Sequence, residues 1–308
     1  MKLFIRPKKY SFPIISVGNI VTGGTGKTPL VTYLSERFIR DNFKVIVLSS
    51  AAEKSIKKYS STERDDELRM LKEQLPGIIV ESKRRDKLIS VEKIAYSNKV
   101  IAIIDDGFHS HAIKKDVDIL IIDASNPFDN HLIIPSGLLR EPVYFAKRAD
   151  VFVLSHPYMV PREQLDKIAT KLKGFGRPVF VMDYEIKGLK SDKGSLPCLE
   201  IDGKEIIGLA GLGNPRNFFY LLTKLNPVKI HPIVYPDHFS YRTEDIERIA
   251  LARSKNNASY IITTAKDYVK LKKIAGELAV FYLDIRSKME NFYEKKDFDR
   301  FIRSMLKL

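Results

Sequence analysis

Apolar residues in the first half of the chain fall in short unbroken runs, at 12–17, 45–48, 78–80, 100–104, 119–122 and 151–154. Runs of this length suit strands buried on both faces, whereas a half-exposed strand would alternate. Between them, apolar positions recur at helical spacing over 28–41, 66–74 and 87–97. Strand and helix in alternation predict a largely parallel sheet with helices on both faces. Residues 178–185 and 199–201 read as strands, and 188–194 is the least patterned stretch, a linker. A second alternating set follows, with strand or helix patterns at 205–210, 218–224, 228–234, 260–263 and 279–283. The last residues, 298–308, predict a short basic amphipathic helix. The expected organisation is a first domain over 1–182, a β-strand hinge over 183–203 and a smaller α/β domain over 204–308. The apolar face of the C-terminal helix is expected to pack on a domain, with packing back on the first domain one option and membrane contact the alternative.

The first run leads directly into Val21-Thr22-Gly23-Gly24-Thr25-Gly26-Lys27-Thr28, and a helix follows. Glycines there let the backbone curl so that several N–H groups face one phosphate, and the helix N-terminus adds partial positive charge. Lys27 would reach the β/γ-phosphates and Thr28 would offer a hydroxyl to Mg²⁺. The fold class is therefore α/β of the P-loop type, with a second smaller α/β domain. Val21 stands where the full phosphate-loop pattern has its first glycine, so an ordinary glycine turn is the alternative. The run 100–104 ends in Asp105-Asp106-Gly107. A carboxylate at a strand end beside such a loop can hold Mg²⁺; two aspartates would equally well open a turn.

Composition narrows the partners. The 308 residues carry a formal net charge of +14. That suits an anionic partner: a phosphorylated substrate, an acidic membrane surface or nucleic acid. With no tryptophan and no RNA-binding signature, nucleic acid is the weakest of the three. A single cysteine, Cys198, leaves no internal disulfide and fits a reducing compartment. No run approaches the ~18 apolar residues of a membrane span. The basic residues 1–10 lack the apolar core of a signal peptide.

Six stretches together resemble the tetraacyldisaccharide 4′-kinase (lipid A 4′-kinase) family. They are Ser16-Val17-Gly18-Asn19-Ile20 running into the glycine loop, Asp105-Asp106-Gly107-Phe108, Ile134-Pro135-Ser136-Gly137-Leu138-Leu139-Arg140-Glu141-Pro142, Gly211-Leu212-Gly213-Asn214-Pro215-Arg216-Asn217-Phe218-Phe219, Tyr235-Pro236-Asp237-His238-Phe239 and Thr263-Thr264-Ala265-Lys266-Asp267. The resemblance implies transfer of the ATP γ-phosphate to the 4′-hydroxyl of a tetraacyldisaccharide 1-phosphate, with Mg²⁺. It implies Asp66 as the base, His238 as its orienting partner and Lys27 as the charge-stabilising group. Thr28, Asp105, Asp106 and Glu141 are then metal candidates, and Arg85, Arg140 and Asn19 substrate contacts. It also implies a peripheral enzyme at the cytoplasmic face of the inner membrane, and a monomer is expected. Taken without the resemblance, Asp65-Asp66-Glu67 would simply place negative charge at a helix N-terminus, and Glu141 would pair with Arg140.

The sequence departs from the family pattern in several places. The usual S-R-G-Y is Ser49-Ser50-Ala51-Ala52, and His109-Ser110 replaces the usual Q-H. Ala265 stands where Glu is usual, and only a short basic stretch precedes the first strand. The competing reading is a P-loop regulatory or assembly NTPase. The guanine signature N-K-x-D fails at Asn98-Lys99-Val100-Ile101, and the six histidines and single cysteine form no metal-delivery cluster in sequence.

Overall fold

The computed structural model describes residues 7–49, 75, 78–81, 99–237 and 239–308. The expected helices at 66–74 and 87–97 lie outside those residues, as do Asp66, Arg85 and His238. The described residues divide into two compact units. One comprises the described residues from Pro7 to Asp183 together with Ser287–Leu308, and the other is the described residues of Tyr184–Arg286.

In the first unit, the apolar runs form β1 (Ile14–Gly18), β2 (Lys44–Ser49), β3 (Ile79–Glu81), β4 (Val100–Asp105), β5 (Val117–Asp123), β6 (Val151–Ser155) and the start of β7 (Val179–Ser191). They lie in the order β7-β6-β5-β1-β4-β2-β3, and every pairing along it is parallel. The burial of β1 and β4 is complete along their length, which is why their sequences are continuous apolar runs. Helix α1 (Lys27–Arg40) packs on β1, β2 and β4. Its buried Leu30, Val31, Leu34 and Phe38 recur at the i, i+4 spacing of one helix face. Helix α2 (Arg162–Lys173) buries Leu165, Ile168, Ala169 and Leu172 in the same way.

The chain runs outward from β1 to β2 and β3, returns to place β4 beside β1, then builds β5 and β6 on the other side. This reversal puts a topological switch point at the carboxyl ends of β4, β1 and β5, where doubly wound sheets bind ligands.

The second unit repeats the plan on a smaller scale. Strands β9 (Glu205–Ala210), β10 (Lys229–Val234), β11 (Tyr260–Thr263) and β12 (Val280–Glu290) lie in the order β10-β9-β11-β12, all parallel. Helices α3 (Arg216–Thr223), α4 (Thr243–Lys255) and α5 (Ala265–Leu271) connect them.

One expectation is corrected here. Residues 199–201 are not a strand: Cys198–Ile201 is a 3-10 turn. Pro197 opens it and Gly203, at φ 68°, turns the chain out of it. Residues 188–194, unpatterned in sequence, are the end of β7, a two-residue turn and the start of its antiparallel partner β8 (Gly194–Leu196), with Leu189 opposite Leu196. Gly188 and Gly194 take φ 151° and 142°, values that side chains disfavour, so glycine marks a bend in paired strands. The C-terminal helix α6 (Phe298–Leu306) buries Phe298, Ile302 and Leu306. Phe298 meets Phe180 of β7 edge-on at 5.2 Å. Tyr33 of α1 donates to Asp299 at 2.9 Å, and Arg37 pairs with the same carboxylate at 3.2 Å. The apolar face of this helix is thus packed on protein.

Candidate active site

β1 ends at Gly18, where space is the constraint. A Cβ at this position would lie 2.5 Å from Phe108 Cβ and 2.7 Å from its backbone nitrogen. Gly18→Ala is therefore expected to cost about 1–3 kcal/mol by overpacking. An unchanged denaturation midpoint for that variant would show that the β1–Phe108 contact can relax freely.

The glycine loop follows. Gly23 and Gly26 sit at φ 115° and 87°, and a Cβ at Gly23 or Gly24 would meet nothing within 4 Å. The loop thus borders open space. Gly26 is the N-cap of α1 and gives it no side-chain cap, and the first turn contains no acidic residue. By contrast, α5 and α6 are capped by Thr264 and Asp297. An uncapped helix start presents N–H groups and dipole to an anion. Lys27, half-exposed, is the first residue of that helix and Thr28 the second. This arrangement fits a nucleotide polyphosphate.

The loop is held from behind by residues that sequence reasoning used differently or missed. Asn19, expected to contact substrate, is 1% exposed. Its side-chain amide donates to Val21 O and to Thr25 Oγ1, the latter at 3.0 Å. These bonds brace the loop from within. Ser155, at the end of β6, donates to Thr25 O at 2.8 Å; only a polar residue closing an apolar run could have signalled it. Val21 and Thr22, expected to bind the nucleotide, also have other uses. Val21 belongs to the core and bridges Leu139. The Thr22 N–H donates to Leu138 O at 2.9 Å, and Arg140 N–H donates to Ile20 O at 2.8 Å. The segment 138–140 thereby buttresses the loop, and the Thr22 amide is already committed.

The acidic residues separate in role. Asp105 closes β4 in register with Val17 and is 8% exposed. Asp106 turns the chain at φ 54°, a left-handed conformation that aspartate tolerates better than most residues. Arg140 holds both its carboxylate oxygens, at 3.0 and 2.8 Å. Glu141 is engaged by Arg148 at 2.6 Å, not by Arg140. Among the described residues, no group of three or more His, Cys, Asp or Glu forms a metal cluster. Asp106 is thus paired with Arg140 and Glu141 with Arg148. Thr28 and Asp105 are the protein groups that suit Mg²⁺, which commonly takes one or two carboxylates and fills the rest with phosphate and water.

His109, one of the departures from the family pattern, has a defined place. Its Nε2 lies 3.0 Å from Asn19 O and its Nδ1 3.5 Å from Glu141 Oε1. Burial lowers its pKa and Arg140 adds to that, against the pull of Glu141 and Asp106. The carbonyl acceptor assigns the proton to Nε2. A buried pair lies one residue beyond Ser155: His156 Nδ1 is 3.0 Å from Asp123 Oδ2. Burial raises the Asp123 pKa, but bonds from His156 and Ser125 outweigh it and the net shift is downward.

The site defines a P-loop α/β fold with a prearranged phosphate cradle facing a strand-end carboxylate. Residues 1–307 match the family described as tetraacyldisaccharide-1-P 4′-kinase. The chain is 32% identical to the tetraacyldisaccharide 4′-kinase of Halothermothrix orenii, over 87% of this chain and 77% of that protein. It is 30% identical to that of Desulfatibacillum aliphaticivorans, over 100% of this chain and 87% of the relative. The crystal structure of LpxK from Aquifex aeolicus in complex with ATP superposes with a TM-score of 0.67. The identity is 26%, covering 99% of this chain and 90% of that one. The chain belongs to the tetraacyldisaccharide 4′-kinase family.

Proposed function

We infer that this chain is an ATP-dependent lipid kinase that transfers the γ-phosphate of ATP to the 4′-hydroxyl of a tetraacyldisaccharide 1-phosphate, the step of lipid A biosynthesis that forms lipid IVA. The observation that carries the chemistry is the uncapped α1 N-terminus behind a loop braced by Asn19 and Ser155. Phosphoryl transfer is mostly positioning and charge neutralisation, and a loop held in shape beforehand needs no reorganisation as charge develops. Lys27 stabilises charge on the β/γ-oxygens. Thr28 and Asp105 are the groups to hold Mg²⁺, which when bound would screen the phosphate oxygens. A sugar hydroxyl is a weak nucleophile, so Asp66 accepts its proton and His238 orients that carboxylate or shares its charge. Arg85 binds the substrate's anionic 1-phosphate. Arg140 contributes there with the guanidinium N–H groups that Asp106 leaves over.

The acyl chains have a surface of matching chemistry. Leu132, Ile133, Ile134 and Leu138 are 42–50% exposed on one loop. Its shape is fixed by Leu139 N–H to Leu132 O, Ile134 N–H to Leu139 O and Leu138 N–H to Asp129. Exposed aliphatic clusters of this kind mark interaction sites, and this one adjoins the glycine loop through Leu138 and Thr22. It supports a peripheral position on the anionic cytoplasmic face of the inner membrane. Among the described residues no helix is long and apolar enough to cross a membrane.

The test is mass analysis of lipid after incubation with ATP: one added phosphoryl group per acceptor is expected. ATP turnover without lipid phosphorylation would instead favour a regulatory NTPase. A Mg²⁺ titration checks the metal role. Asp105→Ala is expected to shift the activating Mg²⁺ concentration upward more than Asp106→Ala does. Wild-type-like curves for both would refute it.

A further inference from the structure

The turn that carries Asp105 and Asp106 is anchored by Phe108. This ring is 0% exposed, and its Cβ lies so near Gly18 that no side chain fits between them. Two cations face it. The Arg148 guanidinium carbon is 4.6 Å from the ring centroid, and Lys115 Nζ is 5.7 Å away. Lys115 also donates to Phe108 O at 3.2 Å and pairs with Asp118 of β5 at 2.6 Å. Gly107 N–H ties the turn to β1 by donating to Val17 O at 3.1 Å.

Arg148 has a second contact. It ends the 3-10 turn Val143–Arg148 and stands between Ala146 and Ala149, both fully buried, so its backbone is held by the core. Its side chain donates to Glu141 Oε1 at 2.6 Å. The same oxygen lies 3.5 Å from His109 Nδ1, and His109 Nε2 is 3.0 Å from Asn19 O. Asn19 in turn donates to Thr25 of the glycine loop. One side chain therefore faces the ring that anchors the acidic turn and grips the carboxylate that leads, through His109 and Asn19, to the phosphate cradle. A planar guanidinium suits both tasks, because its face can lie on a ring while its N–H edge donates in plane. An ammonium is a point charge with no such face. Arg148 lies outside all six stretches that mark the family in the sequence.

We propose that Arg148 is a positioning residue for Mg²⁺ use: by holding Phe108 and Glu141 together, it keeps the 105–109 turn in register with the glycine loop, so that the Asp105 carboxylate is presented to a metal at the phosphates. The proposal rests on the reading of Asp105 as the carboxylate for Mg²⁺ and adds the residue that fixes its turn.

Arg148→Lys keeps the charge and loses the planar fork. It is expected to raise the Mg²⁺ concentration for half-maximal phosphotransfer about tenfold, as loss of an outer partner of a metal ligand does. In an Asp105→Ala background it should raise that concentration no further. A second readout needs neither metal nor turnover. In the free protein, amide hydrogen exchange over residues 105–110 should quicken in Arg148→Lys, while exchange over β6 stays as in the wild type. A merely structural Arg148 would quicken exchange in β6 as much as in the turn and leave the Mg²⁺ requirement unchanged; either result overturns the proposal. An equal Mg²⁺ shift in both backgrounds would overturn it too, since Arg148 would then act by a route other than Asp105. If Asp105→Ala alone leaves the Mg²⁺ curve unchanged, the metal reading of Asp105 fails and the positioning role with it.

Discussion

Lys27→Ala is expected to leave a folded protein that has lost nearly all phosphotransfer. Lys27 opens α1 and is half-exposed, so no core packing depends on it. Substitution at such a position usually changes stability by no more than about 0.5 kcal/mol. Its ammonium is placed to serve the β/γ-oxygens at the start of α1. Removing one such stabilising group from a preorganised site costs on the order of 10²- to 10³-fold in kcat. Thermal melting and steady-state phosphotransfer on the same preparation check both halves. Wild-type-like turnover by Lys27→Ala would remove the phosphate-loop assignment; a large fall in melting temperature would mean that the side chain is structural.

The second large effect concerns Asp66 and His238. If the carboxylate takes the 4′-hydroxyl proton and the imidazole orients it, the two act as one unit. Each alanine variant should then lower kcat strongly while ATP affinity changes little. The double variant should be hardly worse than the worse single one, because residues acting as a unit are non-additive. Losses that simply multiply would show that the two residues serve separate purposes, and that the base lies elsewhere.

The sequence carried the first sheet clearly because β1, β4, β5 and β6 are buried along both faces. Total burial produces unbroken apolar runs that need no partner to be recognised. The glycine loop was legible for a related reason: the glycines, the lysine and the hydroxyl are contiguous. Elements specified by pairing were not. Residues 188–194 look unpatterned alone and become β7 and β8 only through the register of Leu189 with Leu196. The run 199–201 is apolar enough for a strand, yet Pro197 and Gly203 fix it as a turn.

The site divides along the same line. Lys27, Thr28 and Asp105 stand at strand and helix ends that the pattern located. The contacts of Asp106 and Ser155 depend on partners distant in sequence. Arg140 lies 34 residues from Asp106, and Ser155 lies 130 from Thr25. Glu141 has an arginine beside it in sequence, but Pro142 and the turn after it bring Arg148 to it instead. A motif names which residues matter together; which of them neutralise each other is decided by the turn that follows.

The central claim is transfer of the γ-phosphate to one particular hydroxyl of an acylated disaccharide. The most direct measurement uses γ-labelled ATP, Mg²⁺ and a tetraacyldisaccharide 1-phosphate, with the matching 4′-deoxy acceptor in parallel. Label is predicted in the lipid fraction with the first acceptor and absent with the second, and abolished by Lys27→Ala. Label appearing only as free phosphate, or equally on both acceptors, would contradict the account.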